Sequence, residues 1–128
     1  MSIMRTIAIT IGVLTLSGYL SAQQGRSCGN NPDLVGACFQ IHGRIFYSNG
    51  TPSLRIWRVG TKRILGVLPA ENEIVPDNLA KALRGFDKQV YGDFEVCPFT
   101  HEKPGEMQMV CVESADHLII RKWKDNSN

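Results

Sequence analysis

The stretch that most constrains this chain is Phe39 to Val67, where two turn signals divide three short runs rich in β-branched and aromatic residues. Asn49-Gly50 suits a two-residue hairpin loop, because both central positions of a type I′ turn need positive φ. Gly60-Thr61 fits the Gly-X form of a type II′ turn. Three antiparallel strands follow. The first turn sets Ile45 opposite Leu54 and Gly43 opposite Ile56; the second sets Leu54 opposite Val67 and Ile56 opposite Leu65. Side chains alternate between faces along a strand. Both turns then agree on one core face, made of Phe39, Ile41, Ile45, Tyr47, Leu54, Ile56, Leu65 and Val67. Pro52 works against the tight first turn, since it cannot donate to a ladder, and a wider loop there would move the register.

The opposite face is mixed and basic, with Gln40, His42, Arg44, Arg55, Trp57 and Ile64. In this register Arg44 lies across from Arg55, and like charges directly opposite destabilise a strand pair. Two things could relieve that. An acid from a later strand, Asp93, Glu95 or Glu113, could pair with the arginines. Alternatively the face meets a ligand, with Arg44 and Arg55 on an anion and Trp57 as a stacking platform. Arg58, Lys62 and Arg63 crowd the tip of the second hairpin, where basic residues deter edge pairing or dock an acidic surface. The candidate ligand-binding set is therefore Arg44, Arg55, Trp57, Arg58, Lys62 and Arg63. The partner it points to is an anionic polymer, a carbohydrate or an acidic protein surface.

Charge is uneven along the chain. Leu34 to Ala70 holds five bases and no acids, whereas Glu71 to Asn128 holds seven bases and eleven acids, giving +5 and then −4. A domain that binds nucleic acid through charge alone is normally far more basic.

Residues 1–22 have the layout of a secretory signal peptide. Arg5 is the only charge at the start, Ile7 to Leu20 is an uncharged run of 14 residues, and Leu20-Ser21-Ala22 ends in small residues. The run is short of the ~20 residues a spanning helix needs. Cleavage is expected after Ala22, leaving residues 23–128 as a single small secreted or periplasmic domain with no transmembrane anchor. Export gives four cysteines a disulfide role. Lys103-Pro104-Gly105 lies midway between Cys97 and Cys111 in an apparent hairpin, which favours Cys97–Cys111 and leaves Cys28–Cys38 to close a short loop.

After the meander, Pro76-Asp77-Asn78 opens a short helix with Leu79, Leu83 and Phe86 on one face and Gly85 placed to end it. Three more strands are expected at Val90–Phe99, Met107–Glu113 and Leu118–Trp123, the last after a turn near Ser114-Ala115-Asp116. Three strands, a helix, then two or three strands is the element order of a small barrel such as the OB-fold. The fold class expected is thus mainly β, a five- to six-stranded antiparallel barrel with one short helix, with a β-sandwich plus helix as the alternative.

Catalytic patterns are thin. Asp93 and Glu95 share a strand face, and with a histidine they would be the only candidates for a small extracellular hydrolase. A third possibility is a hydrolase inhibitor presenting the Phe99–Met107 loop. The cysteine spacings are not zinc spacings, and no phosphate-binding, dinucleotide or metalloprotease motif is present, so no cofactor or metal is expected. A non-enzymatic, disulfide-stabilised binding module is the favoured reading.

Overall fold

The computed structural model describes residues 12, 27–68 and 75–123. The leader expected over residues 1–22 and its cleavage after Ala22 fall outside the described residues, Gly12 apart. A 3-10 turn at Cys28–Asn30 precedes β1 (Phe39–Tyr47), β2 (Leu54–Arg58), β3 (Ile64–Val67), α1 (Asp77–Ala82), β4 (Lys88–Pro98) and β5 (Met109–Lys122). The five strands form one sheet closed into a ring in the order β1-β2-β3-β5-β4. Every pairing is antiparallel except β3 with β5, which run parallel at the seam through Gly66–Met109 and Val67–Val110. Among the described residues no helix is long and apolar enough to cross a membrane.

The expected core face is observed. Ile41, Ile45, Leu54, Ile56, Leu65 and Val67 are buried, with Phe39 and Tyr47 packed against them. Val90, Phe94 and Val96 of β4, with Val110, Val112 and Ala115 of β5, complete the interior. Gly43 faces inward between them, where a Cβ would lie 2.6 Å from Ile56 Cγ2 and 3.4 Å from Phe94. The missing side chain is what lets a five-stranded ring take those two large residues.

Register divides the two hairpins. In the second, Arg55 pairs with Gly66, Ile56 with Leu65 and Trp57 with Ile64, as the sequence implies. The bend itself differs: Thr61 N donates to Arg58 O, placing Val59-Gly60 at the centre, with Gly60 at φ +82°. In the first hairpin Ser48 N donates to Ser53 O and four residues form the loop. Arg44 consequently faces Trp57, Ile45 faces Ile56 and Phe46 faces Arg55. The expected register is off by two. Pro52 is the cause: it is buried and packs against the seam, 2.6 Å from where a Gly66 Cβ would stand. A shift of two preserves faces, so the core assignment survives while the arginine-on-arginine clash disappears.

The expected last two strands are one continuous β5. The turn expected near Ser114–Asp116 is instead a pair of irregularities opposite Tyr91–Asp93 and Glu95–Val96. They let the strand bend without breaking, as β-bulges do. The helix buries Leu79, Ala82 and Leu83, but Phe86 lies beyond it, 82% exposed, edge-on to Tyr47 at 5.1 Å.

The disulfides are Cys28–Cys111 and Cys38–Cys97, which corrects the expected pairing. Cys97 and Cys111 do sit directly opposite each other on β4 and β5, but each is tied to the N-terminal segment instead. The bridges join cysteines 83 and 59 positions apart. In the chain-entropy account, loops of that length restrict the unfolded state by about 4–5 kcal/mol each, against about 3 for the short loops of the alternative pairing.

Candidate functional site

The outer face is built by register. Reading across the ladders, Ile64, Trp57, Arg44, Tyr91 and Ile119 form one row spanning β3, β2, β1, β4 and β5. Arg44 is at its middle. Its guanidinium carbon lies 5.0 Å from the Trp57 ring centroid, 5.3 Å from Phe46 and 5.5 Å from Trp123. Phe46 and Trp123 meet edge-to-face at 6.1 Å. Trp57 is fixed by its indole N–H, which donates to Thr61 O at 2.7 Å.

Three aromatic rings around one guanidinium hold the cation through ring quadrupoles and not through a counter-charge. Among the described residues no carboxylate pairs with Arg44 or Arg55. Arg44 Nε is buried and without a hydrogen-bond partner, while Arg55 Nε donates to Pro52 O. The expected acidic partners are engaged elsewhere. Asp93 holds two histidines, Glu95 accepts from Gln40 at 3.5 Å, and Glu113 accepts from the Gly29 amide at 2.6 Å. A shallow recess of about 370 Å³ opens beside the row, lined by Arg44, Trp57, Lys62 and Ile64.

The expected basic tip does not act as one unit. Arg58 and Lys62 are exposed. Arg63 turns inward, with Nε on Glu102 at 3.2 Å and Nη1 on Lys103 O at 3.4 Å. It ties the hairpin tip to the Phe99–Met107 loop, which Gln108 and Thr100 also brace through Thr100 O and the Met109 amide. Arg44, Trp57 and Lys62 are therefore brought together; Arg63 is separated from them, joining Arg58 in a smaller recess of about 180 Å³.

One row along β1 and β4 stands the residue set expected for a hydrolase. Asp93 accepts from His42 Nδ1 at 2.9 Å and from His117 Nδ1 at 3.0 Å, one imidazole on each carboxylate oxygen. The His42 bond, opposed by partial desolvation and joined by His117, lowers the Asp93 pKa below the ordinary carboxylate range. Because a carboxylate only accepts, both neutral rings carry the proton on Nδ1 and turn Nε2 away. The recess around them is about 380 Å³ and includes Gln40 and Asp116. Glu95 lies outside the cluster, and His101 is exposed on the Phe99–Met107 loop. The carboxylate sits between the rings, so the Nδ1 atoms are spent on Asp93 and do not converge on a vacant coordination position. The sulfurs of Cys28, Cys97 and Cys111 also lie close together, but each is in a disulfide and offers no thiolate.

Sequence reasoning missed Phe46, Tyr91, Trp123 and His117. Phe46 was legible, since it shares strand parity with Arg44. Trp123 and Tyr91 needed the β4–β5 register. His117 depends on a bulge, where it adopts φ +54°, and no local signal announces that. No family model, no curated protein and no solved structure matches the chain.

Proposed function

We propose that this chain is an exported binding module with an OB-like barrel, whose Arg44-centred face takes an acidic polysaccharide. The ring order β1-β2-β3-β5-β4, with a helix between β3 and β4, supports the OB-like description. In such barrels the outer face of the second and third strands takes oligosaccharides and oligonucleotides. Two disulfides support export to an oxidising compartment.

The single observation that carries the ligand class is the Arg44 cluster. Three rings lie within 5.0–5.5 Å of the guanidinium carbon and, among the described residues, no carboxylate answers its charge, so its N–H donors suit a carboxylate, sulfate or phosphate from a ligand. Trp57, Tyr91, Ile119 and Ile64 extend the row on either side as apolar contact for sugar rings. Near-neutral total charge argues against nucleic acid, which is recognised through far more basic surfaces.

The test is affinity at pH 8.0 for heparin and for a single-stranded oligonucleotide, comparing wild type with Arg44→Ser and Trp57→Ala. Each variant is expected to lose about tenfold in heparin affinity, the size of one stacking or charge-assisted contact. Preferential oligonucleotide binding would transfer the same face to nucleic acid. Equal heparin retention by all three proteins would remove it from consideration.

A second reading has its own observation. Asp93 fixes two imidazoles with Nε2 outward, the arrangement of a general base acting on water. Among the described residues no hydroxyl is hydrogen-bonded to either ring and no cysteine is free, so a nucleophile would have to be water. Release of reducing ends from heparin that is lost in Asp93→Asn would support it; an unchanged polymer would dismiss it.

A further inference from the structure

The Asp93 cluster lies immediately beside the Arg44 row on the same outer surface. His42 is two residues from Arg44 on β1, and Asp93 is two residues from Tyr91 on β4. That separation is roughly 7 Å along a strand, close enough for one extended polymer to cover both rows.

The two rows differ in what they offer an anion. Around the cluster, β4 supplies Asp93 and Glu95, and β5 supplies Asp116. Asp77 opens α1, whose Asn78 reaches the Ala115 carbonyl next to Asp116. Arg44 is the nearby base on β1, while Arg58 at the end of β2 turns toward Phe39 and Leu65 in the separate recess. With neutral imidazoles Asp93 and Asp116 give this row a charge of −2, with Glu95 adding a further −1 in the next row, and with both imidazoles protonated the row itself is neutral. Histidine is the side chain whose ordinary titration falls between pH 5 and 8. Both rings are exposed, at 60% and 82%.

We propose that His42, Asp93 and His117 form a proton-operated gate at one end of the Arg44 platform. With the imidazoles neutral, the row repels an anionic polymer lying along β1 and limits it to the Arg44 row. With both protonated, the outward Nε2–H groups become donors beside Arg44 and the bound length of polymer extends. This inference rests on the polyanion-binding reading of the Arg44 face. The protein would hold its ligand more tightly in acidic surroundings.

The probe is heparin, whose sulfates stay ionised across the range. Its affinity is measured at fixed salt at pH 8.0 and 5.5. Wild type is expected to bind about tenfold tighter at pH 5.5, from two added charges at roughly 7 Å in water. His42→Gln/His117→Gln should lose that gain, while His101→Gln, altering the chain's remaining histidine, should keep it. Retention of the gain in the double variant overturns the gate. Binding at pH 8.0 that depends on Arg44 and Trp57, with no change on acidification, overturns the gate and leaves the platform standing. Binding only at pH 5.5, abolished in the double variant but untouched by Arg44→Ser, would make the histidines a binding site of their own and overturn both the platform and the gate built on it. Absence of binding at both values rejects both. A variant-free check follows from reciprocity: if protons tighten heparin binding, heparin binding must make the wild-type protein take up protons from an unbuffered solution at pH 6.5. No uptake on saturation would also overturn it.

Discussion

The two ends of the β4–β5 ribbon use one ladder for opposite purposes. At one end Val96 faces Val112 and Cys97 faces Cys111, all essentially buried, with the N-terminal segment bound over them by both disulfides. At the other end Tyr91 faces Ile119 and Val90 faces Ile120, and the two isoleucines are 55% and 52% exposed. Trp123 continues from this end onto Arg44. The ladder is continuous to both ends; what differs, among the described residues, is what lies over the strands. The closed end holds the chain together, and the uncovered end presents apolar and cationic groups in a fixed row. If that division is right, substitutions at one end should alter stability alone, and at the other binding alone.

The largest effect should come from the closed end. Cys28→Ser/Cys111→Ser removes a bridge between cysteines 83 positions apart and is expected to lower unfolding free energy by about 4–5 kcal/mol, read from urea unfolding. Heparin affinity of the fraction that remains folded should be unchanged. A matching loss of affinity would mean the two ends are coupled and the comparison is wrong. Next is Gly43→Ala in the interior. The new methyl would press on Ile56 and Phe94 and should cost about 1–3 kcal/mol; an unaltered urea midpoint would show that the ring relaxes around it. Trp57→Ala tests the open face. It should cost about tenfold in heparin affinity with a much smaller shift in melting, because Trp57 is only half-buried. A large stability loss without loss of affinity would make the ring around Arg44 a structural cluster.

How much of this was legible in the sequence depended on whether the signal was a pattern or a pairing. Alternation along β1 to β3 is local, so Ile41, Ile45, Leu54, Ile56, Leu65 and Val67 could be assigned inward even with one register wrong by two. The identity of cross-strand partners is not local. It turned on Pro52, whose burial against Gly66 widens the first loop and replaces Arg55 with Trp57 opposite Arg44. Residue type alone singles out Arg44, Arg55 and Trp57; their grouping depends on the register. The disulfide pairing departs from the expected one for a related reason. Cys97 and Cys111 are hairpin neighbours, as their spacing implied, but neighbours across a ladder are not thereby bonded when two other cysteines approach from the N-terminal segment. The pairing of β3 with β5 and the bulge at His117 join residues about 40 and 24 positions apart; such contacts leave no trace in a short window of sequence.

The smallest expected effect concerns Asp93, and its sign is fixed by its surroundings. Hydrogen bonds from His42 and then His117 favour the charged carboxylate, outweighing partial desolvation, so its pKa in the folded protein is lowered. A carboxylate of that kind contributes stability that is present above its unfolded pKa and lost as pH falls through the folded one. The wild type should therefore exceed Asp93→Asn in urea midpoint at pH 7. That margin should hold down to about pH 4, where an unperturbed aspartate begins to take up protons, and shrink below it. Solvent exposure keeps the margin small, since ion pairs in water contribute little. The same variant should bind heparin more tightly than wild type at pH 8.0, because it removes a negative charge from the end of the Arg44 row. Stability and binding would then move in opposite directions at one residue. An Asp93→Asn protein that is as stable as wild type at pH 7, and equally weak for heparin at pH 8.0, would mean that the two histidines and their carboxylate act on neither.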